Sequence, residues 1–385
     1  MSTFEQCPAE IVDIILSFLD LRDICTFRLT SRGLAYKVSS APSLRLHLQQ
    51  RHVDITEHSL RALAKATAKP DRPGCFIQDL TLVGVANNTK FLTREAKFMA
   101  RKDAVGHAKA QQILPILTRR QKEFETMHAS GYDVLLLSQV FRNLMVHGRR
   151  KGLRSLSLTV VVYREDAQKR LLPADGGGWK LIWQAATDTF HTALGALTTS
   201  GIAVQRLDIY NSVQRCSLSG NEPHSVNFGF NALATSLASL ETLAVSFSDR
   251  AINVYNEDIG YTSDSADSLD PMIDAREPGN IEEEVCLETS FSGIPALVQN
   301  CQRLESLELH HYQLSFMAGD MVNSHRERFL QHIAKMASLP PLKRVVLRGF
   351  RTRAADLLTF LARLKPTLRD LSLQNLIIKL LSSKI

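Results

Sequence analysis

No uninterrupted apolar run in these 385 residues approaches the roughly 18 that a membrane span needs. The N-terminus also lacks the basic-then-apolar pattern of a secretory signal. No membrane partner is expected on these grounds. Cysteine is sparse: Cys7, Cys25, Cys75, Cys216, Cys286 and Cys301 are scattered, with no Cys-x-x-Cys pair and no dense framework. That usage suits a reducing compartment, cytoplasmic or nuclear, with the thiols acting as small core residues. Catalytic signatures are missing too. The run from Gly176 to Lys180 lacks the spacing of a phosphate-cradling P-loop. There is no nucleophile elbow and no His-Glu-x-x-His pair. His310 and His311 are adjacent, so on a strand they face opposite sides and cannot share a metal. An enzyme is not expected, nor any cofactor or metal.

What the chain does have is charge asymmetry. Twelve acidic residues against Arg250 and Arg276 lie between Asp249 and Glu288, a net of −10. The whole chain carries +7, so the remainder holds +17. Rich in Ser, Asp and Glu and poor in aromatics, residues 249–288 read as a weakly ordered acidic loop. The basic remainder has no nucleic-acid motif beside it and reads as solvated surface. Residues 90–127 read as a basic helical insertion, with Arg94, Lys97 and Arg101 on one face. Residues 166–179, with Pro173 and three consecutive glycines, read as a flexible loop.

One phrase recurs through the chain. Apolar residues at its first, fourth and sixth positions appear as Ile77, Leu80, Leu82 and again as Leu153, Leu156, Leu158. The series continues with Val204, Leu207, Ile209; Leu240, Leu243, Val245; Leu304, Leu307, Leu309; Leu342, Val345, Leu347; and Leu368, Leu371, Leu373. The last two positions of each alternate as in a half-buried strand. Strands are predicted near 77–83, 153–161, 204–210, 240–246, 304–310, 342–348 and 368–374. A helical stripe precedes most of them, for example Leu137, Phe141 and Leu144, or Ile182, Ala186, Phe190 and Leu197. Helix, short break, strand, repeated, is the unit of a parallel solenoid. The gaps between phrase starts are 76, 51, 36, 64, 38 and 26 residues, so the solenoid is irregular. A parallel α/β sheet of another topology remains an open alternative. After Leu373 the tail with Leu376, Ile377 and Ile378 is either a rough cap or the start of further repeats.

The first forty residues form a different unit. Pro8 is placed to open a helix carrying Ile11, Ile14, Ile15, Phe18 and Leu19 at helical spacing. Asp20 starts a second helix, with Asp23 in its first turn, and Thr30 or Ser31 caps a third with Leu34 and Val38. So short a segment cannot bury that much apolar surface internally, which points to a protein partner.

This stretch resembles an F-box. The resemblance rests on Pro8, Glu10, Ile11, Ile14, Ile15, Leu19, Asp20, Leu21, Asp23, Ile24 and the run Arg28 to Arg32. The leucine usual before the proline is Cys7 here. The recurring phrase in turn resembles the leucine-rich repeat, so the chain looks like an F-box protein of fungal type with irregular repeats. The resemblance implies an N-terminal all-α module over 1–42, a helical connector over 43–75 and an α/β solenoid with a parallel sheet over 76–385. It implies docking on a Skp-family adaptor, and through it a cullin, by Pro8, Ile11, Ile14, Ile15, Leu19, Leu21, Leu29 and Arg32. The polar strand positions would face a protein substrate, with Arg206, Asp208, Tyr210, Glu308, His310, Arg344 and Arg348 as candidate contacts. The implied function is that of a substrate receptor of a cullin-RING ubiquitin ligase; a scaffold acting without ubiquitination is the alternative.

Overall fold

The computed structural model describes residues 3–70, 72–100, 103–229, 231–248, 289–312 and 326–379. The acidic run 249–288 and Arg101 lie outside the described residues. The chain opens with four short helices: α1 Ala9–Leu16, α2 Leu21–Leu29, α3 Arg32–Ser40 and α4 Pro42–Gln49. Asp20 caps α2 by accepting from the Asp23 amide at 2.8 Å, and Ser31 caps α3 by accepting from the Leu34 amide at 3.1 Å. Each cap satisfies one amide that the first turn leaves unpaired, worth about 1 kcal/mol. Pro8 stands just before α1 with ψ 151° and is not in its first turn. The helices close on Val12, Leu16, Ile24, Leu34, Val38, Ala41 and Leu44. Leu44 belongs to α4, so the module runs past the expected boundary at 42. The Ser43 amide donates to Asp13 Oδ1 at 2.9 Å and its hydroxyl to the Asp13 carbonyl at 3.1 Å, tying α4 to α1.

The expected helical connector contains a strand. β1, Gln50–Asp54, separates α4 from α5, Glu57–Thr67. Val53 and Ile55 are buried while His52 is exposed, so this stretch follows a two-residue period. β1 starts one open sheet, followed in chain order by β2 Asp79–Asn87, β3 Leu153–Tyr163 and β4 Val204–Ile209. Then come β6 Thr242–Ser248, β7 Ser306–Tyr312, β8 Arg344–Arg348 and β10 Asp370–Gln374, each parallel to its neighbour. The two-residue β5, Leu218–Ser219, pairs with the end of β6. A small second sheet joins β9, Arg351–Arg353, to β11, Ile377–Lys379.

β2, β6, β7, β8 and β10 begin two residues after the first apolar position of their phrase, whereas β3 and β4 begin on it. The amides of Arg154 and Ser155 both donate to the Gln78 carbonyl. Those of Glu305 and Ser306 share the Glu241 carbonyl, Lys343 and Arg344 share that of Glu305, and Arg369 and Asp370 share that of Lys343. Two residues thus oppose one at these four strand entries, as in a bulge, and the side-chain parity is reset there. That is how first, fourth and sixth positions all point inward although three is an odd step. Leu80, Leu156, Leu207, Leu243, Leu307 and Val345 lie in register as one buried row. At about 1.5–3 kcal/mol for each fully buried aliphatic side chain, such rows dominate the stabilisation of the sheet. Leu371 and Leu373 of β10 continue the rows but stay 38% and 41% exposed.

Helices cover the inner face: α5, α8 Tyr132–His147, α10 Trp179–Ser200, α11 Asn231–Ala238, α12 Thr289–Asn300, α13 Phe329–Ala334 and α14 Ala354–Leu364. α10 approaches β2 closely because Gly84 has no side chain. A Cβ there would sit inside contact distance of Thr189 Oγ1 and 2.9 Å from the Ala185 carbonyl. Gly84→Ala should cost about 1–3 kcal/mol, since the helix backbone must retreat. Urea denaturation checks it, and a stability change below 0.5 kcal/mol would contradict this packing.

The basic insertion folds as α6 Thr89–Met99 and α7 Ala104–Ala129. Their Leu92, Ala96, Ala110, Ile113 and Leu117 cover Val85 and Val161, so the outer face of β2 and β3 is open only toward its N-terminal half. Arg94 is not free for a partner; it lies over the Phe91 ring. The glycine-rich loop is built as well. Leu171 bridges Val162, Pro173–Gly176 forms a single helical turn called α9, and Gly177 and Gly178 take φ of 61° and 71° to enter α10. Such φ values suit glycine alone without strain.

Candidate functional site

Two surfaces qualify. On the N-terminal module, the stripe named from the sequence is the exposed one. Ile14 is 56% exposed, Phe18 84% and Leu29 87%, while the intervening Val12 and Leu16 fill the core. Pro8 and Arg32 are exposed, and Ile15 half so. Leu19 and Leu21 differ from expectation: both are half-buried and pack against the module's own core. Tyr36 and Leu46 are exposed apolar residues that the spacing did not single out, because polar neighbours break any stripe around them. Cys7 is half-buried against the same core, and its carbonyl and that of Glu5 accept from Lys37 Nζ at 2.6 and 2.7 Å. The N-terminal 3-10 turn, Thr3–Gln6, and Cys7 are therefore clamped onto α3, and Pro8 is held in place.

The second surface is the outer face of the sheet. Register places Arg206, Thr242, Ser306, Arg344 and Asp370 in one row, and Asp208, Ala244, Glu308 and Val346 in the next. His310 and Arg348 share a third with Ser246. Six of the seven sequence candidates thus meet on one face. Tyr210 does not. β4 ends at Ile209, and Tyr210 takes a left-handed φ of 59°, which turns the ring inward. It is fully buried, donating from its hydroxyl to the Ala186 carbonyl at 2.6 Å.

Asp208 is also largely withdrawn: its Oδ1 accepts from the Asn211 amide at 2.9 Å, and burial pushes its carboxyl above the usual range. Glu308 accepts from Arg344 Nη1 at 2.6 Å and from Asn211 Nδ2 at 3.2 Å. The latter bond crosses β6, where the small Ala244 leaves room. Arg344 Nε reaches Asp370 at 3.0 Å. His310 lies 3.3 Å from Ser246 Oγ; burial first, then the Arg348 and His311 charges, holds its pKa down to about 4. It is neutral at physiological pH, so this face presents His310 as a hydrogen-bonding group without charge.

Among the described residues there is no cluster of three or more potential metal ligands, and no helix is long and apolar enough to cross a membrane. No curated protein matches the chain. The family comparison does match residues 4–46: this helical module, with its inward core and its exposed Ile14, Phe18 and Leu29, is an F-box domain, an interaction element that binds Skp-family adaptors.

Proposed function

We propose that the protein is the substrate-receptor subunit of an SCF-type, cullin-RING ubiquitin ligase. The F-box holds the Skp-family adaptor, and through it the cullin. The strand-and-helix array serves as an irregular leucine-rich-repeat solenoid whose outer face takes a protein substrate. Catalysis belongs to the partners, so the chain itself needs neither a catalytic residue nor a cofactor. It would act in the cytoplasm, the nucleus or both. The observation that carries the reading is the F-box match over residues 4–46, on a module whose surplus apolar residues are exposed. Arg206, Glu308, His310, Arg344 and Arg348 are the substrate contacts favoured by their place on the outer face.

Affinity purification from cells treated with a proteasome inhibitor tests it. The adaptor and cullin should co-purify with a ubiquitinated protein that accumulates when this chain is deleted. Recovery of the adaptor without cullin, or with no protein changing in abundance, would favour the scaffold reading. Absence of the adaptor would sink the receptor reading and leave only a scaffold that works without it.

A further inference from the structure

The outer face is electrostatically uneven. Toward the C-terminal strands most of its charges neutralise one another, Arg348 apart: Arg344 bonds Glu308 and Asp370, and Lys343 Nζ bonds Glu305 at 2.6 Å. Toward β1 the balance differs. An open trough of about 530 Å³ crosses β1 to β4, floored by the small side chains of Thr81, Ser155 and Ser157 and walled by Arg51, Arg154 and Arg206. Its two carboxylates are already engaged. Asp79 binds Arg154 through both oxygens, and Asp208 is turned to its own Asn211 amide. Arg51 and Arg206 are both exposed, and neither forms a salt bridge among the described residues, although the Arg206 charge is felt by Asp208. Arg51 and His52 also line a second cavity of about 470 Å³ along the edge of β1, where His47 and His58 join them and Asp54 is paired with Arg170.

We propose that this trough is the docking site for an acidic peptide segment, rich in Asp and Glu, of a partner protein. Three inter-strand steps separate β1 from β4, roughly 14 Å, which is the reach of about four or five extended residues. A short acidic run laid across the strands meets Arg51 and His52 at one end and Arg206 at the other. The floor supplies only hydroxyls and imposes no apolar side-chain pocket, so selection is by charge. Such pairs near the surface are screened by salt within about 8–10 Å, and binding should weaken accordingly. The inference rests on the outer face being a recognition surface, as proposed above, but not on ubiquitin transfer.

The test uses the purified full chain and a fluorescein-labelled peptide with six consecutive Asp and Glu residues, read by anisotropy. Binding should exceed that of the Asn/Gln counterpart at least ten-fold at 50 mM salt and fall steeply by 300 mM. Arg51→Glu with Arg206→Glu should remove at least ten-fold of the affinity. Lys97→Glu with Lys109→Glu, the same charge change on exposed sites of α6 and α7, should change it less than two-fold. Circular dichroism verifies folding, and Arg51→Gln with Arg206→Gln should reproduce the loss if the reversal variant does not fold. Equal binding of the neutral peptide overturns the proposal, as does full affinity in the folded Arg51/Arg206 variants. An oligonucleotide of equal charge binding ten-fold tighter would reassign the trough and overturn it too. Adaptor co-purification is independent of every one of these outcomes, so failure here leaves the F-box reading intact.

Discussion

Ile14→Glu combined with Leu29→Glu should abolish association with a Skp-family adaptor while leaving the fold unchanged. Both side chains are exposed, and neither belongs to the cluster of Val12, Leu16, Ile24, Leu34, Val38, Ala41 and Leu44 that holds the module together. Truncating an apolar anchor at an interface centre costs about 2–4 kcal/mol. A glutamate adds the cost of burying a carboxylate with no partner. A combined loss of at least 4 kcal/mol corresponds to about a thousand-fold in affinity. Titration calorimetry of the purified chain against the adaptor reads this directly, with circular dichroism as the control for folding. Affinity retained within ten-fold would remove α1 and the end of α2 from the interface. The contrast is Leu19→Glu: Leu19 is half-buried against the module core, so this variant should lose binding by unfolding the module.

That contrast marks what was legible in the sequence and what was not. The period of Ile11, Ile14 and Phe18 identified a helical face, and the face is real. The periodicity alone did not say which of two interleaved apolar stripes is the core, since Val12 and Leu16 follow the same spacing one residue on. In the sheet, each Leu-x-x-Leu-x-Leu phrase announced a strand because its residues must face a row of helices. In five of the seven the strand starts two residues later, and where two amides share one carbonyl a bulge resets the alternation after the first leucine. β1 was hidden because its exposed Gln50 and His52 leave only Val53 as an apolar signal within the strand. Tyr210 was misplaced because alternation was carried one residue past the strand end, where the backbone turns left-handed. Ion pairs such as Arg344 with Glu308 depend on register across strands, and no local pattern encodes register. The same holds for contacts between helices.

The largest of those hidden contacts should be visible as a pH-dependent stability difference between the natural chain and Asp133→Ala. Asp133, at the start of α8, is fully buried. Its Oδ2 accepts from His128 Nδ1 at 2.7 Å and from Thr192 Oγ1 of α10 at 2.6 Å, and its Oδ1 from the Val134 amide at 2.8 Å. Burial alone would raise its pKa, but the bonds from His128, Thr192 and Val134 outweigh it and hold the carboxyl below its usual value. The bond to Asp133 raises the His128 pKa against the opposing effect of burial, with Asp188, 3.6 Å from Nε2, adding to the rise. His191, half-buried and beside the His128 charge, is shifted down by its burial first, and the buried Asp188 is shifted up.

The signs then follow from linkage. The depressed Asp133 contributes stability that is present above about pH 3.9 and disappears as pH falls through its lower folded value. The elevated His128 contributes stability that is complete below about pH 6.5 and is lost as pH rises through its higher folded value. The pair therefore stabilises most between about pH 4 and 6.5. Removing one member of a buried charged pair costs about 3–5 kcal/mol, and His128 is one-third exposed, so about 3 kcal/mol is expected there. Subtracting the variant's urea stability from that of the natural chain at each pH largely cancels His191, His310 and other groups. The difference should peak near pH 5–6 and shrink on both sides. A flat profile, or a difference under 1 kcal/mol at pH 6, would mean that α7, α8 and α10 are joined by packing alone.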